Sequence, residues 1–134
     1  MTKIESKTVQ VNVGPESVFA FLTDLNNFRE LLPGDKISDW SSDGTSCVFK
    51  VQGGYKIGLA LESSEPHSSV IYRSTAESPF RFTLHVHLEP VDGGTRGWQV
   101  CEAELNPFLR MMVEKPLKNL FDYIADQLSS RFRD

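Results

Sequence analysis

From Asn106 to Phe132 the sequence reads as one long helix, and it follows a long run of strand-like segments. A chain with a single long helix and many strands must bury that helix against the strands to make a core. Asn106 can cap free N–H groups, and Pro107 lacks the N–H that the first helical position would leave unused. Leu109, Val113, Leu117, Leu120, Ile124 and Leu128 then recur at steps of four or three, flanked by Phe121 and Phe132. That is the apolar stripe of a helix lying on a core. Glu114, Lys118, Asp122, Asp126 and Ser129 form the opposite, solvated face.

The two halves of this helix differ. Phe108, Met111 and Met112 widen the apolar arc in the first turns, whereas the second half keeps a narrow stripe. Pro116 removes the hydrogen bond to the Met112 carbonyl, so a bend is expected over 112–115. The methionine pair suits either of two uses, gap-filling in an ordinary core or the lining of an adaptable pocket.

Ahead of the helix, residues 3–13 carry Val9, Val11 and Val13 at period two and read as a strand. Gly14-Pro15-Glu16 starts a short helix over 15–23, and Asp24 can cap a second over 25–32 that ends at Pro33-Gly34. Six strands follow, at about 36–42, 45–52, 55–64, 69–76, 80–90 and 95–105. They are separated by turn signals such as Ser42-Asp43-Gly44, Gly53-Gly54 and Asp92-Gly93-Gly94. The expected architecture is α+β, a curved seven-stranded antiparallel sheet around the long C-terminal helix, with two short helices after the first strand. A cavity between sheet and helix is then expected, because aromatic-rich strands on a curved sheet seldom fill the space against one helix.

The 134 residues, 40% of them hydrophobic and 24% charged, suit a single domain over 1–134. A net charge of −4 without any run of Lys or Arg argues against a nucleic-acid partner. No apolar run is long enough for a membrane span, and the first ten residues lack a hydrophobic signal core, so a cytoplasmic protein is expected. Cys47 and Cys101 sit in strand-like runs without paired Cys or His at metal spacing, and read as small buried residues.

Two segments carry a family resemblance over essentially the whole chain. VQVNVGPESVFAFLTDLNNFRELLP is similar to the strand-turn-helix opening of the START/Bet v 1-like helix-grip superfamily (SRPBCC), and LNPFLRMMVEKPLKNLFDYIADQL is similar to its closing helix. That superfamily includes polyketide cyclases, lipid-transfer proteins and coenzyme Q-binding proteins. The resemblance implies the helix-grip fold and a cavity for a small apolar ligand, while leaving the chemistry open, since only some members catalyse a reaction.

Candidate chemical groups are sparse. His85, His87 and Glu89 share one side of a strand, but Phe82, Leu84, Val86 and Leu88 claim the dry side, which turns both histidines outward. In the last strand Gln99, Cys101, Ala103 and Leu105 form the drier row, leaving Glu102 outside, and the direction of Arg73 stays open. No Ser-His-Asp ordering, phosphate-cradling Gly loop or metal-ligand spacing occurs, so no catalytic residue, metal or other cofactor is expected. The first expectation is non-catalytic binding or transport of a small hydrophobic ligand such as a lipid, quinone or polyketide-like molecule. A polyketide cyclase/dehydratase-like enzyme and a protein-interaction domain with a filled core are the alternatives. The expected binding site is walled by Phe108, Met112 and Pro116 on the helix and by Tyr55, Leu59, Phe82 and Val86 on the sheet, with Leu32 near the mouth.

Overall fold

The computed structural model describes residues 2–51 and 55–132, with the Tyr55 side chain outside the description. The expected Gly53-Gly54 turn lies outside the described residues. In chain order the elements are β1 (Thr2–Glu5), β2 (Val9–Val11), α1 (Pro15–Thr23), a 3₁₀ helix (Leu25–Leu31), β3 (Ile37–Ser42), β4 (Ser46–Val51), β5 (Tyr55–Glu65), β6 (Ser69–Ser74), β7 (Phe82–Val91), β8 (Gly94–Ala103) and α2 (Pro107–Arg131).

The strands make one antiparallel sheet in the order β1-β8-β7-β6-β5-β4-β3, with β2 also paired to β8. The first strand therefore returns to the last, and the sheet wraps α2 in the helix-grip arrangement. The later boundaries agree with the sequence reading to within two residues, but residues 3–13 are two short strands instead of one. Glu5 pairs with Val100 and Val9 with Gly97, so the first strand holds one more residue than its partner across that stretch. Ser6 absorbs the irregularity, its N–H donating to the Gln99 carbonyl at 2.9 Å and its Oγ accepting from the Gln99 N–H at 2.9 Å. Side-chain and backbone groups at the break thus satisfy one another, as at a β-bulge.

Local chemistry explains the other boundaries. Asn106 caps α2 by accepting from the Leu109 N–H at 2.8 Å, and Asp24 caps the 3₁₀ helix by accepting from the Asn26 N–H at 3.0 Å. Asp43 holds the β3–β4 turn by accepting from the Thr45 and Ser46 N–H groups at 3.0 and 2.9 Å. Gly93 takes φ 83° in the β7–β8 turn, a region open to glycine at little cost.

The alternation expected along β7 and β8 is present: Phe82, Leu84, Val86 and Leu88 are buried, as are Gln99, Cys101 and Ala103. Both free cysteines are buried. From α2 the core receives Val113, Leu117, Phe121, Ile124, Ala125 and Leu128. The α1 helix and the 3₁₀ helix close one end through Val18, Leu22, Leu25, Phe28 and Leu31.

Candidate ligand-binding site

The helix α2 is fastened unevenly. It runs beside β1, β2, β8 and the 3₁₀ helix, and the polar ties to them all fall in its second half. The Lys7 N–H donates to Asp122 at 2.7 Å, the Lys7 ammonium pairs with Asp126 at 2.7 Å, and the Ser129 hydroxyl donates to the Gln10 carbonyl at 2.8 Å. Arg131 pairs with Glu30 at 2.7 Å and lies over the Phe21 ring. Among the described residues, no side-chain hydrogen bond or ion pair joins 107–120 to another part of the fold. The Arg110–Glu114 and Lys118–Asp122 pairs stay within the helix. Pro116, which supplies no N–H, sits inside this first half.

Between α2 and the inner sheet face runs a narrow crevice walled by Phe49, Ile57, Leu59, Phe80, Phe82 and Leu84 of the sheet side, by Leu117, Leu120, Phe121 and Ile124 of α2, and by Phe28 and Cys101. It admits the centre of a water-sized sphere over about 20 Å³. That is room for about one water molecule, and the lining offers it no oxygen or nitrogen side chain. Occupied small-molecule pockets measure roughly 300–1,000 Å³.

The residues expected to wall the site separate into two groups. Leu59 and Phe82 line the crevice, and Val86 lines a second, smaller void behind it. Leu32 is buried but borders neither. The Tyr55 side chain lies outside the described residues. Phe108, Met112 and Pro116 were expected to face the sheet, and here the structure requires a correction. Phe108 and Met112 are 67% and 57% exposed, Met111 is 79% exposed, and Pro116 is also exposed. The cause is helical drift. Leu120 borders the crevice, and Pro116, Met112 and Phe108 precede it at steps of four. Each such step rotates about 40° on a helix of 3.6 residues per turn, so by Phe108 the row has left the sheet. The wide apolar arc is therefore an exposed ridge that runs outward from the crevice.

The charges whose direction mattered are outside the crevice: Arg73 is exposed and Glu102 half-buried on the outer face. His85 and His87 stack at 6.1 Å, and His87 stacks on Trp98 at 5.2 Å, all on that outer face. Burial, aided by the neighbouring His85, holds the His87 pKa below its ordinary value. Within the crevice Cys101 is the one titratable side chain among the described residues. Burial pushes its thiol up to about 12, with the Glu102 carboxylate adding to the effect, so it stays protonated and unreactive at neutral pH.

The sequence profile of a family described as polyketide cyclase / dehydrase and lipid transport matches residues 1–133. The chain belongs to this family. Solved structures share the fold. XoxI from Bacillus cereus is 13% identical with a TM-score of 0.77, over 98% of this chain and 96% of that one. The KanY protein is 16% identical with a TM-score of 0.77, over 98% and 99%. A protein from Thermus thermophilus is 19% identical with a TM-score of 0.72, over 98% and 97%. At these identities the likeness extends to the fold alone. No curated protein matches the chain. Among the described residues, no helix of this family member is long and apolar enough to cross a membrane.

Sequence reasoning passed over Phe28, Phe49, Ile57, Phe80, Leu84, Leu117, Leu120, Phe121, Ile124 and Cys101 as lining residues. The α2 residues were nonetheless signalled by the narrow stripe, which marks the face that meets the sheet. Gln99 was missed as well, although a lone amide in the drier row of its strand was visible.

Proposed function

We propose that this chain is a non-catalytic binder or carrier of a small hydrophobic ligand, taken up between the sheet and α2 in a widened form of the crevice. The observation that carries this reading is the lining: a contiguous apolar surface contributed by strands, the 3₁₀ helix and α2, with no acid, base or reactive nucleophile among its described residues. That lining also weighs against a cyclase/dehydratase-like reaction, which needs a group able to move a proton. Widening is mechanically plain, because the polar ties of α2 lie at 121–131 and Pro116 interrupts the hydrogen-bond ladder of the freer half. The exposed ridge of Phe108, Met111 and Met112 on the first turns of α2 offers adaptable apolar contact to a ligand that approaches this half of the helix.

A second reading, a protein-interaction domain with a filled core, draws on the small size of the crevice as it stands. Titration with a fluorescent naphthalene dye, together with native mass spectrometry of gently purified protein, separates the two. Under the binding reading the dye binds saturably, and Leu120→Trp, which fills the entrance, abolishes that binding while the protein stays folded. A parent protein that binds neither dye nor any co-purifying apolar molecule is the outcome expected of a filled core.

A further inference from the structure

The side chain of Gln99 points to the kind of ligand, given the binding reading above. Gln99 is 3% exposed on the inner face of β8. Its Nε2 donates to the Phe121 carbonyl of α2 at 3.0 Å, which fixes the orientation of the amide, since the opposite orientation would set two oxygens against each other. Its Oε1 finds no donor among the described residues. Buried carbonyl oxygens rarely go without a partner, and one that does calls for a reason.

The surroundings narrow the reason. Gln99 lines a second void, about 10 Å³ by the same measure, with Val9, Leu22, Val86 and Leu128. A water-sized sphere fits in the void, but a bound water needs two to four polar partners, and Gln99 is the one amide, hydroxyl or charged side chain in the lining. Phe28 and Ile124 border both this void and the crevice, so displacing these two side chains would join the two spaces. Among the described residues no Asp, Glu, Lys, Arg or His side chain is buried. An ionised head group pushed to this depth would therefore meet no counter-charge.

We infer that the ligand is a neutral apolar molecule carrying a hydroxyl or similar hydrogen-bond donor at its leading end, and that this donor is accepted by Gln99 Oε1 once Phe28 and Ile124 move apart. A phenol or alcohol fits this chemistry, whereas a fatty-acid carboxylate does not.

The test uses three probes on one skeleton, 2-naphthol, 2-methoxynaphthalene and 2-naphthoate, titrated by fluorescence at pH 7 against the parent chain, Gln99→Met and Gln99→Leu. The parent is expected to bind 2-naphthol about ten-fold tighter than the methyl ether, the worth of one hydrogen bond, and to bind the carboxylate weakest. Both variants should lose the preference for 2-naphthol while still binding the ether. Melting curves identify a variant that does not fold, and the comparison of probes on the parent needs no variant. Equal affinity of the parent for naphthol and ether overturns this inference and leaves the binding reading intact, as does a preference that survives in a folded variant. Failure of the parent to bind any probe overturns both.

Discussion

The hydroxyl of Tyr72 on β6 donates a 2.6 Å hydrogen bond to the carbonyl of Leu22 in the last turn of α1, with both residues buried. The last carbonyls of a helix have no partner within it, so the sheet supplies one here. The Phe28 and Tyr72 rings pack edge to face with their centroids 5.5 Å apart, which places the 3₁₀ helix on the same anchor. Tyr72→Phe leaves that carbonyl buried and unpaired, and is expected to cost about 1–3 kcal/mol in urea unfolding. A change of only a few tenths would mean that the end of α1 finds another donor.

The two faces of α2 should respond very differently to truncation. Leu117→Ala removes buried atoms beside the crevice and is expected to cost about 2–5 kcal/mol. Met112→Ala, on the exposed ridge, should stay within about 0.5 kcal/mol. Thermal melting of the two variants side by side checks this, and a costly Met112→Ala would show that the ridge is packed in solution.

Both thiols should be silent in the native protein. Burial raises Cys47 and Cys101 from 9.0 to about 12. A group whose folded pKa is raised contributes stability that is complete below its unfolded pKa and is lost as pH rises through the folded one. Stability should therefore decline between pH 9 and 12, and the buried Tyr72 hydroxyl, also raised by burial, adds to the decline. At pH 8 a disulfide reagent should modify the thiols only as fast as the protein unfolds. Rapid native reaction of either cysteine would contradict its burial.

Gly94 opens β8 where β2 comes closest. A Cβ at this position would collide with the Val11 carbonyl oxygen, which is backbone and not the far end of a flexible side chain. Gly94→Ala is expected to destabilise by about 1–3 kcal/mol through overpacking. Amide hydrogen exchange should show the loss concentrated in Val9–Val11, and uniform protection in the variant would indicate that β2 shifts without cost.

Periodicity exposed most of this fold because β4, β6, β7 and β8 each keep one dry side. The rows through Phe82 and Gln99 and the span of α2 from Pro107 follow from local residues, whereas the pairing of the first strand with the last does not. What could not be seen locally was which part of the apolar arc on α2 the sheet would cover. That depends on where the helix is tied down, through Lys7, Gln10 and Glu30, residues about a hundred positions away from their partners. The break between β1 and β2 was hidden for a similar reason, since Ser6 marks it only by its bonds to Gln99.

The pairing of β1 and β2 with β8 also sets an order of events during synthesis. Val11 meets Thr95, so the segment that is made early must wait for 84 further residues before it has a partner. At roughly 5–20 residues per second this is a delay of about 4–17 s. During that time β3 to β7 can zip up by successive hairpins, and once β8 is added its outer edge stays open to any extended chain until residues 2–11 pair with it. Residues 2–11 and α2 then close the nascent protein together, one sealing the edge of β8 and the other filling its concave face.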